Sequence, residues 1–317
     1  MNSHRTIHYG LRPAKNIERK MLCETFQRLA HFRNLNDYQY IGFGSRYFSD
    51  FSLIHKVLGI HNMISLEKDD QNKEWFMFNR PYDCIVPEFK HSNDFLPIHS
   101  WKKPVILWLD YDGTLDTTVF ADILSFCTKA LSGSILVITV NAEAEKVLKN
   151  KHSVFDIRLR SLVNRLGEEH VPSNIKAKDI NKKNMPRIYR NILHNEICEK
   201  LSMRNGGLAS ENKLYYEQLF NFIYEDGAQM LTVGGIIYTQ DQKQLLDKCT
   251  FSDFDFVMPK DTAYKIQVPN LTFREIHHLN QHLPLSDNPP APFIPQKEIK
   301  QYAKIYRYFP AFAETEF

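Results

Sequence analysis

The sequence predicts an α/β fold with a doubly wound, mostly parallel sheet, and three observations carry that reading. Strand-like and helix-like segments alternate five times between residues 37 and 142, which calls for right-handed crossovers covering both faces of a sheet. Two of the strand segments, VILWL (105–109) and SILVITV (134–140), are almost wholly apolar, as strands buried on both faces are. The first strand ends in Gly42-Phe43-Gly44-Ser45, a turn whose missing side chains let the backbone approach a ligand closely.

Each element follows in order. Residues 1–36 form an N-terminal strap and helix: Pro13 suits a helix entry, and residues 15–32 place Ile17, Met21, Leu22, Phe26 and Leu29 near helical spacing. Residues 37–142 form the core, with strands at 37–43, 62–66, 83–88, 105–109 and 134–140 and helices at 48–58, 71–78 and 118–131. Residues 143–210 read as a basic helical insertion after the fifth strand, with a polar loop at 172–184 and a stop at Asn205-Gly206-Gly207. Residues 211–283 are expected to complete the sheet through a helix at 211–224, a strand at 230–238, a helix at 241–249 and strands near 254–258 and 264–268. Residues 284–317 contain Pro284, Pro289, Pro290, Pro292 and Pro295, an extended tail before a last helix at 296–308.

Composition narrows the class. A hydrophobic fraction of 43% with 22 Phe and 15 Tyr supplies one large core. No run approaches the roughly 20 apolar residues of a membrane span, and the first residues lack an apolar leader, so a cytoplasmic protein without membrane contact is expected. The five cysteines are scattered and odd in number, which argues for reduced thiols and against a disulfide framework or a cysteine-rich zinc site. His278 and His282 lie four apart with no third ligand in view, so no metal is expected. The net charge of +3 is uneven: residues 146–204 hold 14 Lys and Arg against six Asp and Glu. That stretch is either a solvated insertion or a surface for a nucleic acid, a nucleotide, or a partner in an oligomer or heteromeric complex.

In an open α/β sheet the ligand crevice lies beyond the carboxyl ends of the strands, so the residues that follow each strand are the candidates. They are Gly42, Phe43, Gly44 and Ser45 after the first strand, and Glu67 with Lys68 after the second. Ser92 and Asn93 follow the third, and Asp110, Tyr111 and Asp112 the fourth. Glu67 lies 23 residues beyond Gly44, where an acidic residue can accept hydrogen bonds from both hydroxyls of a ribose in a Rossmann-like fold; the alternative is a surface carboxylate in a charged patch. Ser92 and Asn93 either meet an adenine edge or form a polar turn. Asp110 and Asp112 follow a buried strand, where an unpartnered charge is costly. Arg12 and Lys15, with Tyr9, stand at a helix start suited to an anionic substrate.

The order YIGFGS, SLEKDD, HSNDFLP, WLDYDG and ILVITVNA over residues 38–142 resembles the successive motifs of class I methyltransferases that use S-adenosylmethionine. The chain is also similar to uncharacterised bacterial proteins classed as O-methyltransferases, which share a segment like YGLRPAKNIERK. The resemblance implies S-adenosylmethionine as cofactor, with Gly42 and Gly44 beside its methionine part, Glu67 at the ribose, Ser92 and Asn93 at the adenine, and Asp110 at the amino group or the acceptor. Asp110 and Asp112 would then orient the acceptor and take up its proton. The third glycine of the pattern is missing near Arg46, and an NPPY-type motif is absent, which directs the expectation away from base amino groups. A second reading is a bacterial sensor, of the kind found in defence assemblies, that binds the cofactor or a nucleotide without turnover.

A third reading comes from VILWLDYDGTL, which also matches the signature of haloacid-dehalogenase-type phosphatases. In those enzymes the first Asp is the nucleophile, the second the acid/base, and Mg2+ neutralises the phosphate. That signature belongs on the first core strand, so the strand order decides between the two.

Overall fold

The computed structural model describes residues 12–144, 154–284 and 291–310; Tyr9 lies outside them. Helix α1 (Pro13–Gln27) begins at the expected proline and buries Ile17, Met21, Leu22 and Phe26. The alternating core follows: β1 (Gln39–Phe43), α2 (Ser49–Leu58), β2 (Asn62–Leu66), α3 (Lys73–Asn79), β3 (Ile85–Glu88), α4 (Ser92–Phe95), β4 (Val105–Thr114), α5 (Thr117–Lys129) and β5 (Ile135–Asn141). After it come α6 (Val154–Leu166), α7 (Met185–Asn205), β6 (Leu214–Glu225), β7 (Gln229–Thr239), α8 (Lys243–Lys248), β8 (Tyr264–Lys265), α9 (Phe273–Asn280) and α10 (Gln296–Ile305). The helix ends carry local signals: Gly59 closes α2 at φ +68°, and the Asp116 side chain caps α5 by accepting from Thr118 N at 2.9 Å.

The eight strands lie in the order β3-β2-β1-β4-β5-β7-β6-β8. Strands β1 to β5 pair in parallel, β7 runs antiparallel between β5 and β6, and β8 adds a short parallel edge. Alternation along β4 divides the core: Ile106 and Trp108 join the cluster under α1 and α2, while Val105, Leu107 and Leu109 join the one under α5 and α7. The sheet is therefore doubly wound, and its order reverses between β1 and β4, the switch point at which such folds open a crevice. β7 can sit between two strands because Gly234 and Gly235 carry no side chain. A Cβ there would stand 2.4 Å from Leu136 O and 2.2 Å from Glu217 O.

Three sequence expectations are corrected. Residues 211–224 are not a helix: from Leu214 onward they form β6, because YYEQLFNFIY is aromatic-rich and its side chains alternate between the faces of the sheet, apart from a register shift near Gln218. Residues 254–258 are not a strand, and the one near 264–268 shrinks to two residues, since this stretch touches β6 only through isolated bonds such as Met258 N to Leu219 O (2.9 Å) and a two-residue pairing. In the basic stretch, α7 is a layer of the core that packs on α5, β6 and β7 and buries Ile188, Tyr189, Ile192, Leu193 and Ile197. Several of its cations are internal. Arg190 is buried and bonds Gln218 Oε1 (2.8 Å) and Asp261 Oδ1 (2.7 Å), Arg204 caps the carbonyls of Cys127 and Ala130, and Arg165 bonds Leu115 O and the Tyr189 hydroxyl. No helix among the described residues is long and apolar enough to cross a membrane.

Candidate active site

A cavity of about 360 Å³ opens at the carboxyl ends of β1 to β4. Its wall contains Phe43, Gly44 and Ser45 from the β1 turn, Glu67 and Lys68 after β2, Ser92 and Asn93 at the start of α4, and Asp110, Tyr111 and Asp112 from β4. The fold thus brings together all but one of the cofactor candidates. Gly42 stays inside the sheet, paired with Ser65 and Trp108. A single wall gathers them because four parallel strands end at one level and β4 runs past its expected stop at Leu109 to Thr114, with an irregular register after Asp110. Arg19 and Asp50 close the cavity from α1 and α2 as an ion pair.

Glu67 stands at the end of β2 opposite Gly44, and its Oε1 accepts from Asp69 N at 3.2 Å. Burial pushes its carboxyl up to about 7. Position 44 accepts no side chain without a shift: a Cβ would lie 2.4 Å from Ser65 Oγ and 3.6 Å from Glu67 Oε2. The turn then passes through Phe48, a buried residue at φ +46°, held there by packing on Phe51.

Asp110 is not solitary. Its Oδ1 lies 2.8 Å from Lys15 Nζ, and the same ammonium lies 2.7 Å from Glu18 Oε2 and 4.7 Å above the Trp108 ring. Glu18 accepts from the Thr232 hydroxyl, which meets Thr139 Oγ1 at 2.8 Å, itself the acceptor for Trp108 Nε1 at 3.2 Å. Burial, with Glu18 and Asp50 nearby, pushes the Asp110 carboxyl up to about 6 against the pull of Lys15, while Asp110 and Glu18 hold the Lys15 ammonium well above the usual lysine range despite its burial. Lys15 is therefore a partner of Asp110 rather than a substrate contact: its side chain is 3% exposed, and it is not part of the cavity wall. Arg12 also lies off the wall, near Asp226, whose carboxylate holds the first amides of α1.

One residue escaped the sequence reading. Asp122, fully buried on α5, accepts from the Tyr111 hydroxyl at 2.5 Å and from Asn93 Nδ2 at 2.8 Å, and it bonds Ser92 as well. Burial pushes its carboxyl up to about 6. It joins the β3 and β4 sides of the cavity, and the signal was available: an acid among Val119, Phe120, Ile123 and Phe126, on the apolar stripe of a helix.

The phosphatase reading fails on this geometry. Asp110 lies on the fourth strand of the chain rather than at the end of the first.

A profile of the family described as Putative O-methyltransferase matches residues 7–317. No curated protein matches the chain. Among solved structures it is similar to Trm1 from Pyrococcus horikoshii in complex with S-adenosyl-L-methionine, at 10% identity over 72% of this chain and 58% of that one, with a TM-score of 0.42. The structure of a putative methyltransferase from Thermobifida fusca aligns at 9% identity over 71% of this chain and 82% of that one, with a TM-score of 0.37. A LepI variant in complex with SAH and a substrate analogue aligns at 9% identity over 63% of this chain, with a TM-score of 0.34, and the chain spans only 43% of its length.

Proposed function

The chain belongs to the Putative O-methyltransferase family, and from that membership we propose that it moves the methyl group of S-adenosylmethionine to an oxygen of an acceptor held in the cavity at the β1–β4 switch point. The observation that carries the proposal is the pair formed by Glu67 and Gly44: a half-buried carboxylate faces a backbone edge that is open only because position 44 has no Cβ. The residues fit the cofactor. Beside that edge Ser65 Oγ is buried without a hydrogen-bond partner, and a nearby carboxylate suits the two hydroxyls of a ribose. Glu67 would hold the ribose, the Gly44 and Ser45 backbone the methionine part, and Ser92 and Tyr111 the adenine side, braced from behind by Asp122.

When bound, the sulfonium supplies an electrophilic methyl for in-line displacement. Asp110 orients the acceptor oxygen. With a carboxyl near 6 it is ionised at neutral pH and accepts the acceptor's proton, while Lys15 keeps that charge aimed at the cavity. Asp112, exposed at the rim, meets the far end of the acceptor. The exposed cations of the basic stretch, among them Arg160, Lys176, Lys178, Lys183 and Arg187, are the ones that can meet an anionic acceptor, a nucleotide or a nucleic acid; affinity for a duplex would then fall by roughly 0.9 log units per log salt for each phosphate contacted. A cytoplasmic site of action accords with this reading.

Titration calorimetry with S-adenosylmethionine, on the wild type and on Glu67→Gln, tests the cofactor site. Absence of wild-type binding at millimolar ligand removes the proposal. Binding with no S-adenosylhomocysteine released across small-molecule, protein and nucleic-acid acceptors replaces the enzyme with a sensor.

A further inference from the structure

We propose that His55, His61 and Cys84 form a site for a transition-metal ion with the ligand taste of zinc, at the end of the sheet opposite the cavity. One ligand atom from each residue lies within 4.8 Å of the other two, and no other group of three such side chains is this close among the described residues. The site stands on the fold independently of the methyltransferase reading. His55 belongs to the last turn of α2, His61 directly precedes β2, and Cys84 directly precedes β3. The left-handed turn at Gly59 folds the chain back so that His61 faces His55, and Ile60, fully buried, anchors that return.

The local chemistry favours a metal over a mere polar contact. His55 Nδ1 lies 3.0 Å from Ile60 O, so it donates there and leaves Nε2 bare. Metal-bearing imidazoles are oriented in this way, by a carbonyl on the second nitrogen. The ring is further held at 4.6 Å from Tyr82 and 5.1 Å from His61. Cys84 Sγ lies against the same ring, 3.7 Å from Nδ1, the nitrogen turned to the carbonyl, so the imidazole has to pivot for Nε2 and the thiolate to share an ion. Metal–nitrogen bonds of about 2.0–2.1 Å and metal–sulfur bonds of about 2.3 Å hold tetrahedral ligands roughly 3.3–3.7 Å apart. With the ligand atoms already within 4.8 Å of one another, that pivot of His55 and a turn of His61, which is exposed, close the remaining gap. Two imidazoles and a thiolate select zinc, cobalt or copper over magnesium and calcium, and three protein ligands leave the fourth position to water. The ion would tie the end of α2 to the starts of β2 and β3, at the end of the sheet away from the cavity.

The test uses the full chain, stripped with a chelator and titrated with Co2+. The expected result is one equivalent bound with the visible bands of tetrahedral cobalt and a thiolate-to-cobalt charge-transfer band, displaced by Zn2+, together with a rise in thermal midpoint on adding Zn2+. Cys84→Ser abolishes the charge-transfer band, and His55→Ala abolishes stoichiometric binding; circular dichroism checks that both variants fold. Cys198→Ser is the control, since Cys198 Sγ lies 3.6 Å from His194 Nε2 on α7, and it leaves every signal intact. Absence of the charge-transfer band at one equivalent, its survival in Cys84→Ser, or its loss in Cys198→Ser overturns the proposal.

Discussion

Replacing Lys15 with Met removes the ammonium that stands between Glu18 and Asp110 and keeps the alkyl stem over Trp108. At 2.7 and 2.8 Å, each contact has a gross attraction of about 6 kcal/mol at an effective dielectric near 20, most of it offset by the cost of desolvating the charges. The variant has lost the attraction and kept two facing carboxylates, so the expected loss of stability is about 3–5 kcal/mol. Its pH dependence follows from the two shifts. Asp110 already sits above its ordinary 3.8, at about 6, so the folded state holds its proton more tightly than the unfolded state does, and stability falls as pH rises through that window. Without Lys15 the carboxyl moves higher still, and the window deepens and extends upward. Lys15 itself, raised above the lysine range, stabilises the wild type at every pH below that range. The gap between wild type and Lys15→Met should therefore widen from pH 5 to pH 8. Urea unfolding at both values measures it, and a difference below about 1 kcal/mol, equal at the two pH values, refutes the reasoning.

Three further outcomes are expected. Glu67→Gln removes charge-assisted hydrogen bonds worth about 1.5–3 kcal/mol, so calorimetry should show S-adenosylmethionine bound at least about tenfold more weakly. In the wild type that affinity should decline below pH 7, the value to which burial raises the carboxyl, and a flat wild-type profile contradicts the assignment. Asp122→Asn turns an amide NH2 toward groups that now donate to the carboxylate; it should cost about 1–3 kcal/mol in chemical unfolding, and an unchanged midpoint would mean that the Asp122 network is not a brace. Gly235→Ala drives a methyl to 2.2 Å from Glu217 O. Its thermal midpoint should fall, by a free energy of about 1–3 kcal/mol or more, and a midpoint equal to wild type would show that β6 and β7 yield at no cost.

The parallel half of the sheet was legible because its strands are short apolar runs closed by polar or glycine-rich turns, and Glu67 and Asp110 were legible because each directly follows such a run. The antiparallel half was not. Residues 214–225 carry an apolar content that fits either period, and without the identity of its neighbours the β6 segment resembles an amphipathic helix. Asp122 was hidden because a lone acid on a helix defaults to the solvent face, and its role appears only once β4 delivers Tyr111 to it. Lys15 was read as an anion binder at a helix start for a similar reason: its two carboxylates come from its own helix turn and from a strand about a hundred residues away. The positive charge of residues 146–204 was counted correctly and located poorly, since a sum over sequence cannot tell Arg190, which is buried, from Lys183, which is not.

The contact between Glu18 and Thr232 joins residues 214 positions apart, and this sets a schedule for biosynthesis. At a synthesis rate of roughly 5–20 residues per second, α1 leaves the ribosome some 10–40 seconds before the strand that receives its carboxylate exists. During that interval β1 to β5 can pair, and the nascent chain already owns the Gly44 turn and Glu67, while the buried lysine and its two acids have no enclosure. A stalled or truncated product ending near residue 141 would therefore leave the β6-facing part of α1 uncovered and its charge cluster unhoused, a natural handle for chaperones. The last strands to emerge decide when the oldest helix comes to rest.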